Sequence, residues 1–209
     1  KTCGICLVMI AAKKITLAIT GASGVVFATN LLAELLKSNC IVNLVISKAG
    51  VITLHHELGI ALAGSPQLIK QKLVSELNLT DAHNLFVYGV EDWYAPIASG
   101  SSVDEAMVIC PCSMATLAKV ANGIGDDLIV RAADVILKER KNLVIVPRET
   151  PFSALHLENM LKLARLGVAI VPPIPGFYSY PKSLEDIVNS VVSRIMDQLG
   201  VTNNLSKRW

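Results

Sequence analysis

The sequence predicts an α/β protein: a single doubly wound, Rossmann-like (flavodoxin-like) three-layer domain with a mostly parallel sheet. The first observation is that short apolar, β-branched runs alternate with amphipathic helical patterns along the chain. The second is that no internal repeat and no linker interrupts this alternation over 209 residues. Because crossover helices connect parallel strands, such alternation is typical of a doubly wound sheet.

Each predicted strand is an apolar run that stops at a small residue, a polar residue or a proline. The predicted strands are a run that begins at Lys14 and residues 41–47, 85–88, 106–110, 143–146 and 169–171. The predicted helices cover residues 25–36, 48–58, 67–77, 116–121, 128–139, 153–166 and 184–199. We expect Ser183 to be the N-cap of the last helix. Residues 91–102 are polar, aromatic and rich in Gly and Ser, so we expect a loop there.

The composition restricts the possible partners. The chain is 52% hydrophobic but only 17% charged, against about 25% in a typical soluble domain. So few charges predict that other subunits cover part of the surface, as in a homo-oligomer. A net charge of +2 argues against nucleic acid or an anionic membrane as a partner. No apolar run approaches the ~18 residues of a membrane span.

Residues 1–13 precede the predicted domain of residues 14–209, and we expect a leader or a disordered extension there. The five cysteines are an odd number with irregular spacing, which favours reduced thiols and a cytoplasmic protein. Cys3 and Cys6 have no second pair, and the adjacent His55 and His56 point to different helix faces. We therefore expect no metal site.

A short glycine turn lies between the first strand and the first helix. Gly21, Ala22, Ser23 and Gly24 follow the apolar run directly. Glycines let the backbone approach an anion closely, and the N–H groups at the helix N-terminus point at it. The third glycine of the dinucleotide fingerprint is missing, so a mononucleotide such as FMN fits better than NAD. Ser23 could instead be a simple helix cap.

Polar side chains also follow three other strands, and parallel strands deliver them to one edge of the sheet. These strand ends are Ser47–Lys48, Cys112–Ser113 and Arg148–Glu149. Arg148 and Glu149 are candidates for acid–base chemistry, or form a local salt bridge. Arg131 and Lys138 lie seven residues apart on one helix face, which suits a phosphate or a solvated surface. Glu57, taken alone, is more often a surface residue.

Several motifs together resemble the UbiX family of flavin prenyltransferases, in order and without a large gap from about residue 14 to 209. They are Thr-Gly-Ala-Ser-Gly (20–24), Ile-Ser-Lys-Ala (46–49), Ala-Ser-Gly-Ser-Ser (98–102), Cys-Pro-Cys-Ser (110–113), Arg-Ala-Ala-Asp-Val-Ile-Leu-Lys-Glu-Arg (131–140), Val-Pro-Arg-Glu-Thr-Pro (146–151), His-Leu-Glu-Asn-Met (156–160) and Pro-Gly-Phe-Tyr (175–178). The resemblance implies an FMN-binding domain that assembles as a homododecamer. It also implies that dimethylallyl phosphate alkylates reduced FMN at N5 and then C6, without a metal, and that the product serves a UbiD-type decarboxylase.

The same resemblance implies roles for individual residues. The FMN contacts would be Gly21, Ala22, Ser23, Ser47, Ser113, Met114, Ala115, Thr116 and Arg148. The donor phosphate would be bound by Lys138, Tyr178 and Arg194, with Arg131 nearby, and Trp93 would form the wall beside the prenyl group. The residues implied in the chemistry are Ser23, Glu57, Lys138 and Glu149.

Two other functions stay open at this point. One is an FMN-dependent decarboxylase of the cysteine-decarboxylase type, a class that carries a catalytic His after the second strand and a Pro-Ala-Ser-Ala-Asn-Thr segment. This chain has Ser47-Lys48-Ala49 and Pro-Cys-Ser-Met-Ala-Thr (111–116) at those places, which disfavours that function. The other is a non-catalytic flavin carrier, which would have no use for the cations and carboxylates at the strand ends.

Overall fold

A computed structural model describes residues 12–80 and 82–207. In that part of the chain, six strands form a single sheet. The strands are β1 Lys14–Ile19, β2 Ile41–Ile46, β3 Leu85–Tyr88, β4 Ala106–Cys112, β5 Asn142–Pro147 and β6 Ala169–Ile170. The helices are α1 Val25–Lys37, α2 Lys48–Leu58, α3 Pro66–Glu76, α4 Met114–Ala121, α5 Leu128–Lys138, α6 Ala154–Arg165 and α7 Leu184–Gln198.

The sheet is parallel at every strand pair, in the order β3-β2-β1-β4-β5-β6. The chain therefore builds outward from β1 through β2 to β3, and then crosses back to place β4 on the other side of β1. In open α/β sheets a ligand binds beyond the carboxyl ends of the strands where the order reverses. That position here lies between β1 and β4. The predicted fold class is confirmed.

The two faces of the sheet are covered by different helices, which gives the three layers. Alternate residues of β1, such as Leu17, pack into a core with α1 and α7. The intervening Ala18 packs into a second core with α4, α5 and α6. Since successive side chains of a strand point to opposite faces, both faces of a sheet covered in this way must be apolar. This explains the continuous apolar runs in the sequence.

A buried polar cluster joins the three central strands. Asp104, just before β4, accepts hydrogen bonds from the Thr16 hydroxyl at 2.6 Å and from the Asn43 amide at 2.8 and 3.0 Å. All three side chains are buried. Burial raises the pKa of Asp104, although the hydrogen bonds from Thr16 and Asn43 oppose that shift. The cluster fixes β1, β2 and β4 relative to one another, and with them the edge at which the strands end.

Three details around β4 differ from the expectations. β4 does not end at Cys110 but continues through Pro111 to Cys112, with a shift of register after Ile109. A proline lacks an N–H, but the Pro111 carbonyl accepts from the Thr20 N–H and hydroxyl, which holds the strand in place. α4 begins at Met114 rather than at residue 116. The expected loop at 91–102 contains two short 3₁₀ turns, Pro96–Ala98 and Gly100–Ser102.

Helix ends follow the expected chemistry. Ser183 accepts a hydrogen bond from the Asp186 N–H, and Asp186 accepts in return from the Ser183 N–H, so the predicted N-cap of α7 is confirmed. None of the helices at 12–80 and 82–207 is long and apolar enough to cross a membrane. Residues 1–11, which include Cys3 and Cys6 of the expected leader, lie outside the described residues.

Candidate active site

A cleft of about 390 Å³ lies at the carboxyl ends of β1, β2 and β4, where the strand order reverses. Five of the residues implied as cofactor contacts line it: Gly21, Ser47, Ser113, Ala115 and Thr116. The structure thus gathers residues from three separate strand ends, as the sequence predicts. We call this cavity the switch-point cleft.

Ser113 organises one wall of the switch-point cleft. Its hydroxyl accepts a hydrogen bond from the Thr116 N–H at 3.2 Å and contacts the Thr116 hydroxyl at 3.0 Å. Its own N–H donates to the Thr20 hydroxyl at 2.9 Å, which ties the end of β4 to the end of β1. By helix geometry the N–H groups of Met114 and Ala115 have no partner within α4. The wall therefore presents hydroxyls and amides to a ligand.

Ser47 forms the opposite wall of the cleft with similar hydrogen bonds. Its hydroxyl accepts a hydrogen bond from the Gly50 N–H at 2.9 Å, and its N–H donates to the Ile19 carbonyl at 2.9 Å. Ser47 thereby follows β2 directly and is the N-cap of α2. Two helix N-termini, of α2 and α4, border one cleft. Their dipoles and amides favour a bound anion.

Gly21 has a packing role besides the cofactor contact expected of it. A Cβ at Gly21 would collide with the Cβ of Ala49, and a Cβ at Gly50 would lie 2.7 Å from the Ile19 carbonyl oxygen. These glycines therefore let the first turn of α2 lie against the end of β1. Gly21 therefore serves helix packing and also lines the switch-point cleft, where its contact with an anion stays a prediction.

At the start of α1, where the sequence predicts that an external anion binds, the structure places the carboxylate of Glu57. Its carboxylate accepts from the N–H of Gly24 at 2.9 Å and from that of Val25 at 3.1 Å. It also accepts from the Ser23 hydroxyl and lies close enough to Arg148 for electrostatic attraction. Glu57 is exposed, as expected of a surface residue, but its carboxylate also contacts the N-terminus of α1.

The charge state of Glu57 follows from these neighbours. Burial alone would raise its pKa, but the hydrogen bonds from Ser23, Gly24 and Val25 and the positive Arg148 outweigh burial and lower the pKa. Glu57 is therefore a carboxylate at neutral pH. The cluster places a hydroxyl, an anion and a cation together, next to the end of β1.

Arg148 and Glu149 follow β5 but do not pair with each other. No ion pair within 4.0 Å joins them among the described residues, so the local salt bridge left open above is wrong. The Arg148 N–H donates to the Cys112 carbonyl at 3.3 Å, which ties β5 to β4. The Glu149 carboxylate accepts from the Thr150 N–H at 3.0 Å, within its own turn.

Arg131 and Lys138 both reach the segment 96–102. Arg131 donates to the Ala98 carbonyl at 3.2 Å and pairs with Asp134 at 2.8 Å. Lys138 pairs with Glu139, and a Cβ at Gly100 would lie 2.6 Å from the Lys138 ammonium. They therefore share one side of α5, as their spacing predicts, and neither is among the residues that line the switch-point cleft. Trp93, which precedes this segment, is half-exposed.

Tyr178 and Arg194 lie elsewhere in the same chain. They line a separate cavity of about 520 Å³ between β6, α7 and the loop that follows β6, and Arg194 pairs with Asp197 at 3.0 Å. None of the residues lining this cavity lines the switch-point cleft. The four residues expected at the donor phosphate are thus not brought together with the flavin residues in one chain.

The structure also places in the cleft residues to which no cofactor contact was assigned from the sequence. They are Thr20, Lys48, Ala49, Val90, Glu91, Lys119, Asp126 and Asp127. Thr20 was identifiable because it ends β1. Lys119 carried a weaker signal, since it lies three residues after Thr116 on the same face of α4. Asp127 is the N-cap of α5 and accepts from the Val130 N–H at 3.0 Å.

The cysteines of β4 take no part in this site. Cys110 and Cys112 are fully buried, and burial raises the pKa of both thiols. They are core residues, as expected from their position in an apolar strand. Within residues 12–80 and 82–207, no three His, Cys, Asp or Glu side chains are grouped closely enough to hold a metal ion.

Comparison with known proteins identifies the family. The family model described as Flavoprotein matches residues 7–196. The flavin prenyltransferase UbiX of Pseudomonas aeruginosa is 50% identical over 197 residues, 94% of each chain. That of Methanocaldococcus jannaschii is 47% identical and covers 94% of this chain and 98% of its own. This chain belongs to the UbiX flavin prenyltransferase family. The resemblance recognised in the sequence motifs is confirmed.

Solved structures agree with this membership. The crystal structure of AnUbiX in complex with FMN and dimethylallyl pyrophosphate has a TM-score of 0.84 at 36% identity and covers 95% of this chain and 97% of its own. A dodecameric FMN-dependent UbiX-like decarboxylase from Escherichia coli O157:H7 has a TM-score of 0.81 at 40% identity, covering 94% and 98%. A PPC decarboxylase mutant has a TM-score of 0.58 at 20% identity, which shows the shared fold alone.

Proposed function

We propose that this flavin prenyltransferase family member transfers a dimethylallyl group from dimethylallyl phosphate to N5 and then C6 of reduced FMN. The observation that carries the proposal is the switch-point cleft, which two serine-capped helix N-termini border. Ser23, two residues after Gly21 of the cleft lining, forms a cluster with Glu57 and Arg148. The first feature suits the phosphate of a mononucleotide. The second supplies proton-handling and charged groups next to that cofactor.

The chain fits FMN in a specific way. Glu57 fills the anion position at the start of α1, so the FMN phosphate takes the remaining helix N-termini of α2 and α4. Its ligands are then Ser47, Ser113, Thr116 and the amides of Met114 and Ala115. A cleft of about 390 Å³ lies within the range of roughly 300–1,000 Å³ typical of small-molecule sites.

Reduced FMN supplies the nucleophilic ring that attacks the allylic carbon. In this proposal the C–O bond of the donor breaks, and phosphate leaves with the bonding electrons. The Ser23 hydroxyl, which donates to Glu57, accepts the proton released at the attacking nitrogen and relays it to the Glu57 carboxylate. Arg148 offsets the negative charge that remains on Glu57 before this proton arrives. Glu149, at the neighbouring strand end, is the second acid–base group for the ring-closing step.

Binding energy explains why cations are needed at the donor. Burying a five-carbon prenyl group at ~0.8 kcal/mol per carbon gives at most about 4 kcal/mol. That free energy alone supports a Kd of only about 1 mM. Arg131, Lys138 and Arg194, with the Tyr178 hydroxyl, add charge-assisted hydrogen bonds to the phosphate and stabilise it as it leaves. Trp93 then shields the allylic group from water.

The separation of these residues supports an oligomer with shared sites. Since Tyr178 and Arg194 line a cavity distinct from the switch-point cleft, we assign them to the donor phosphate of a neighbouring subunit. Large apolar side chains remain exposed on the isolated chain, including Tyr94, Ile174 and Leu184. Such exposure favours extensive subunit contacts. We propose a homododecamer in the cytoplasm, whose product, prenylated FMN, passes to a UbiD-type decarboxylase.

Turnover distinguishes this function from the two alternatives. We expect phosphate release from dimethylallyl phosphate when the protein holds reduced FMN, and none when the FMN is oxidised. A non-catalytic flavin carrier would release no phosphate in either state. A decarboxylase of the cysteine-decarboxylase type would release carbon dioxide from a peptidyl or pantothenoyl cysteine substrate instead. Absence of flavin-dependent phosphate release would overturn the proposal.

A further inference from the structure

Lys119 forms an ion pair at the rim of the switch-point cleft. Its ammonium lies 2.8 and 3.0 Å from the two carboxylate oxygens of Asp126, and both residues line the cleft. This pair raises the pKa of Lys119 and lowers that of Asp126. Asp126 is exposed, so water screens the attraction between the two charges. An ion pair of this kind can exchange its partner at small cost.

The position of Lys119 on α4 points to a second partner. Lys119 follows Ala115 by four residues and Thr116 by three, so the three side chains lie on one helix face. Side chains of a helix lean toward its N-terminus, which directs the Lys119 ammonium toward the amides of the first turn. A cation close to a helix N-terminus is disfavoured by the dipole unless an anion lies there too.

The charges of the cleft also indicate that Lys119 has an anion as a second partner. Lys48 and Lys119 face the three carboxylates Glu91, Asp126 and Asp127. A phosphate dianion would therefore enter a region that is already negative. Asp127 is held as the N-cap of α5, and Lys48 pairs with Glu91 at 3.2 Å with both side chains largely exposed. Lys48 begins α2 at the same cleft, but its side chain is 85% exposed against 37% for that of Lys119, so Lys119 is the more enclosed of the two cations.

We propose that Lys119 is a ligand of the FMN phosphate and that it leaves Asp126 when FMN binds. This inference rests on the proposed binding of FMN in the switch-point cleft. Asp126 then acts as a competing anion that holds the Lys119 ammonium when the phosphate is absent. Because charge-assisted hydrogen bonds to phosphate are stronger than an exposed ion pair, the exchange favours the ligand. Lys119 would thus distinguish FMN from riboflavin, which has no phosphate.

Titration of the flavin-free protein with FMN and with riboflavin tests this inference. We expect Lys119→Ala to weaken FMN binding about tenfold, as for loss of one charge-assisted bond, and to leave riboflavin binding unchanged. Lys119→Arg keeps the charge and should restore the preference for FMN. Lys72→Ala is the matched control, since it also removes a paired, half-exposed lysine, but on α3.

Asp126→Asn separates phosphate binding from a structural role of the pair. If Asp126 competes with the phosphate for Lys119, Asp126→Asn should tighten FMN binding in the parent. In a chain that also carries Lys119→Ala, the same substitution should have no effect on FMN binding. If the pair merely holds the turn before α5, Asp126→Asn should weaken FMN binding as Lys119→Ala does, and the inference is overturned. An unchanged ratio of FMN to riboflavin affinity in Lys119→Ala would overturn it as well. These affinities do not depend on prenyl transfer, so a parent that binds FMN without forming product would refute the proposed reaction alone.

Discussion

The carboxylate of Glu57, in the last turn of α2, accepts hydrogen bonds from the Gly24 N–H at 2.9 and 3.2 Å. Gly24 is the N-cap of α1 and has a φ of 100°, a conformation that favours glycine. No side chain of the turn itself caps α1. A residue 33 positions away in the sequence therefore completes this helix. Its carboxylate lies at the place where many Rossmann-like proteins bind a phosphate.

Removing this carboxylate should destabilise the fold in a pH-dependent manner. We expect Glu57→Ala to lower the free energy of unfolding by about 1 kcal/mol at pH 7, the usual cost of losing a helix cap. The pKa of Glu57 is lowered in the folded protein, so its contribution is present above the ordinary value of 4.5 and is lost as the pH falls through the lowered pKa. The difference between parent and variant should therefore shrink in acid. Urea unfolding at pH 7 and at about pH 3 measures it.

The control for this experiment is Glu76→Ala, which removes a partly exposed carboxylate paired with Lys72 on α3. This substitution should lower the free energy of unfolding by only about a few tenths of a kcal/mol, as for other exposed helix ion pairs. Equal losses in the two variants would contradict the capping role of Glu57.

The cap of α4 should matter for the ligand as well as for stability. Ser113→Ala removes the acceptor for the Thr116 N–H, at a cost of about 1 kcal/mol in folding free energy. It should also weaken FMN binding more than riboflavin binding, because Ser113 lies at the proposed phosphate position. Ser65→Ala removes the equivalent cap of α3, which lies outside the cleft, and should cost similar stability without changing flavin affinity. If both variants weakened FMN binding alike, the assignment of Ser113 would be wrong.

The close contact of Gly21 and Ala49 allows a compensation experiment. The new Cβ of Gly21→Ala would collide with that of Ala49. We therefore expect the free energy of unfolding to fall by more than about 1 kcal/mol, as for other overpacked sites. Ala49→Gly in the same chain removes the colliding atom and should recover much of the loss, measured by thermal unfolding. Gly125→Ala adds a methyl group with nothing within 4 Å and serves as the control. A double variant no more stable than Gly21→Ala would contradict this account of the turn.

The fold was predictable from the sequence because its signals are local. The apolar runs of β1 and β2 and the capping pattern at Ser183 depend on residues within a few positions of one another. One boundary error, the end of β4 at Cys112 rather than Cys110, arises where a distant residue intervenes. There the Thr20 hydroxyl and N–H donate hydrogen bonds to the Pro111 carbonyl.

The site was predictable only in part for the same reason. That Ser47, Ser113 and Thr116 meet in one cleft follows from the rule for parallel sheets. The capping of α1 by Glu57 and the packing of Gly21 on Ala49 depend on how α2 is placed after folding. No spacing or composition in the sequence encodes that placement. The resemblance to the family indicated that Glu57 matters without giving the contacts it makes.

The separation of Arg194 from Lys138 predicts complementation between chains. Lys138→Ala and Arg194→Ala should each be nearly inactive, with Lys138→Ala keeping FMN affinity. When the two variants are co-expressed, some mixed oligomers would join an intact Lys138 of one chain to an intact Arg194 of another, and part of the activity should return. If every site were built from one chain, each site would carry one lesion. Mixed oligomers verified by mass spectrometry, with no activity above the single variants, would contradict shared sites.

The identity of the flavin product tests the central claim most directly. The protein is incubated anaerobically with reduced FMN and either dimethylallyl phosphate or dimethylallyl pyrophosphate, and the flavin is then analysed by mass spectrometry. The account predicts a flavin that has gained one dimethylallyl-derived five-carbon unit, with fragments that place it at N5 and C6. Recovery of unmodified FMN with both donors, from protein shown to bind FMN, would contradict it.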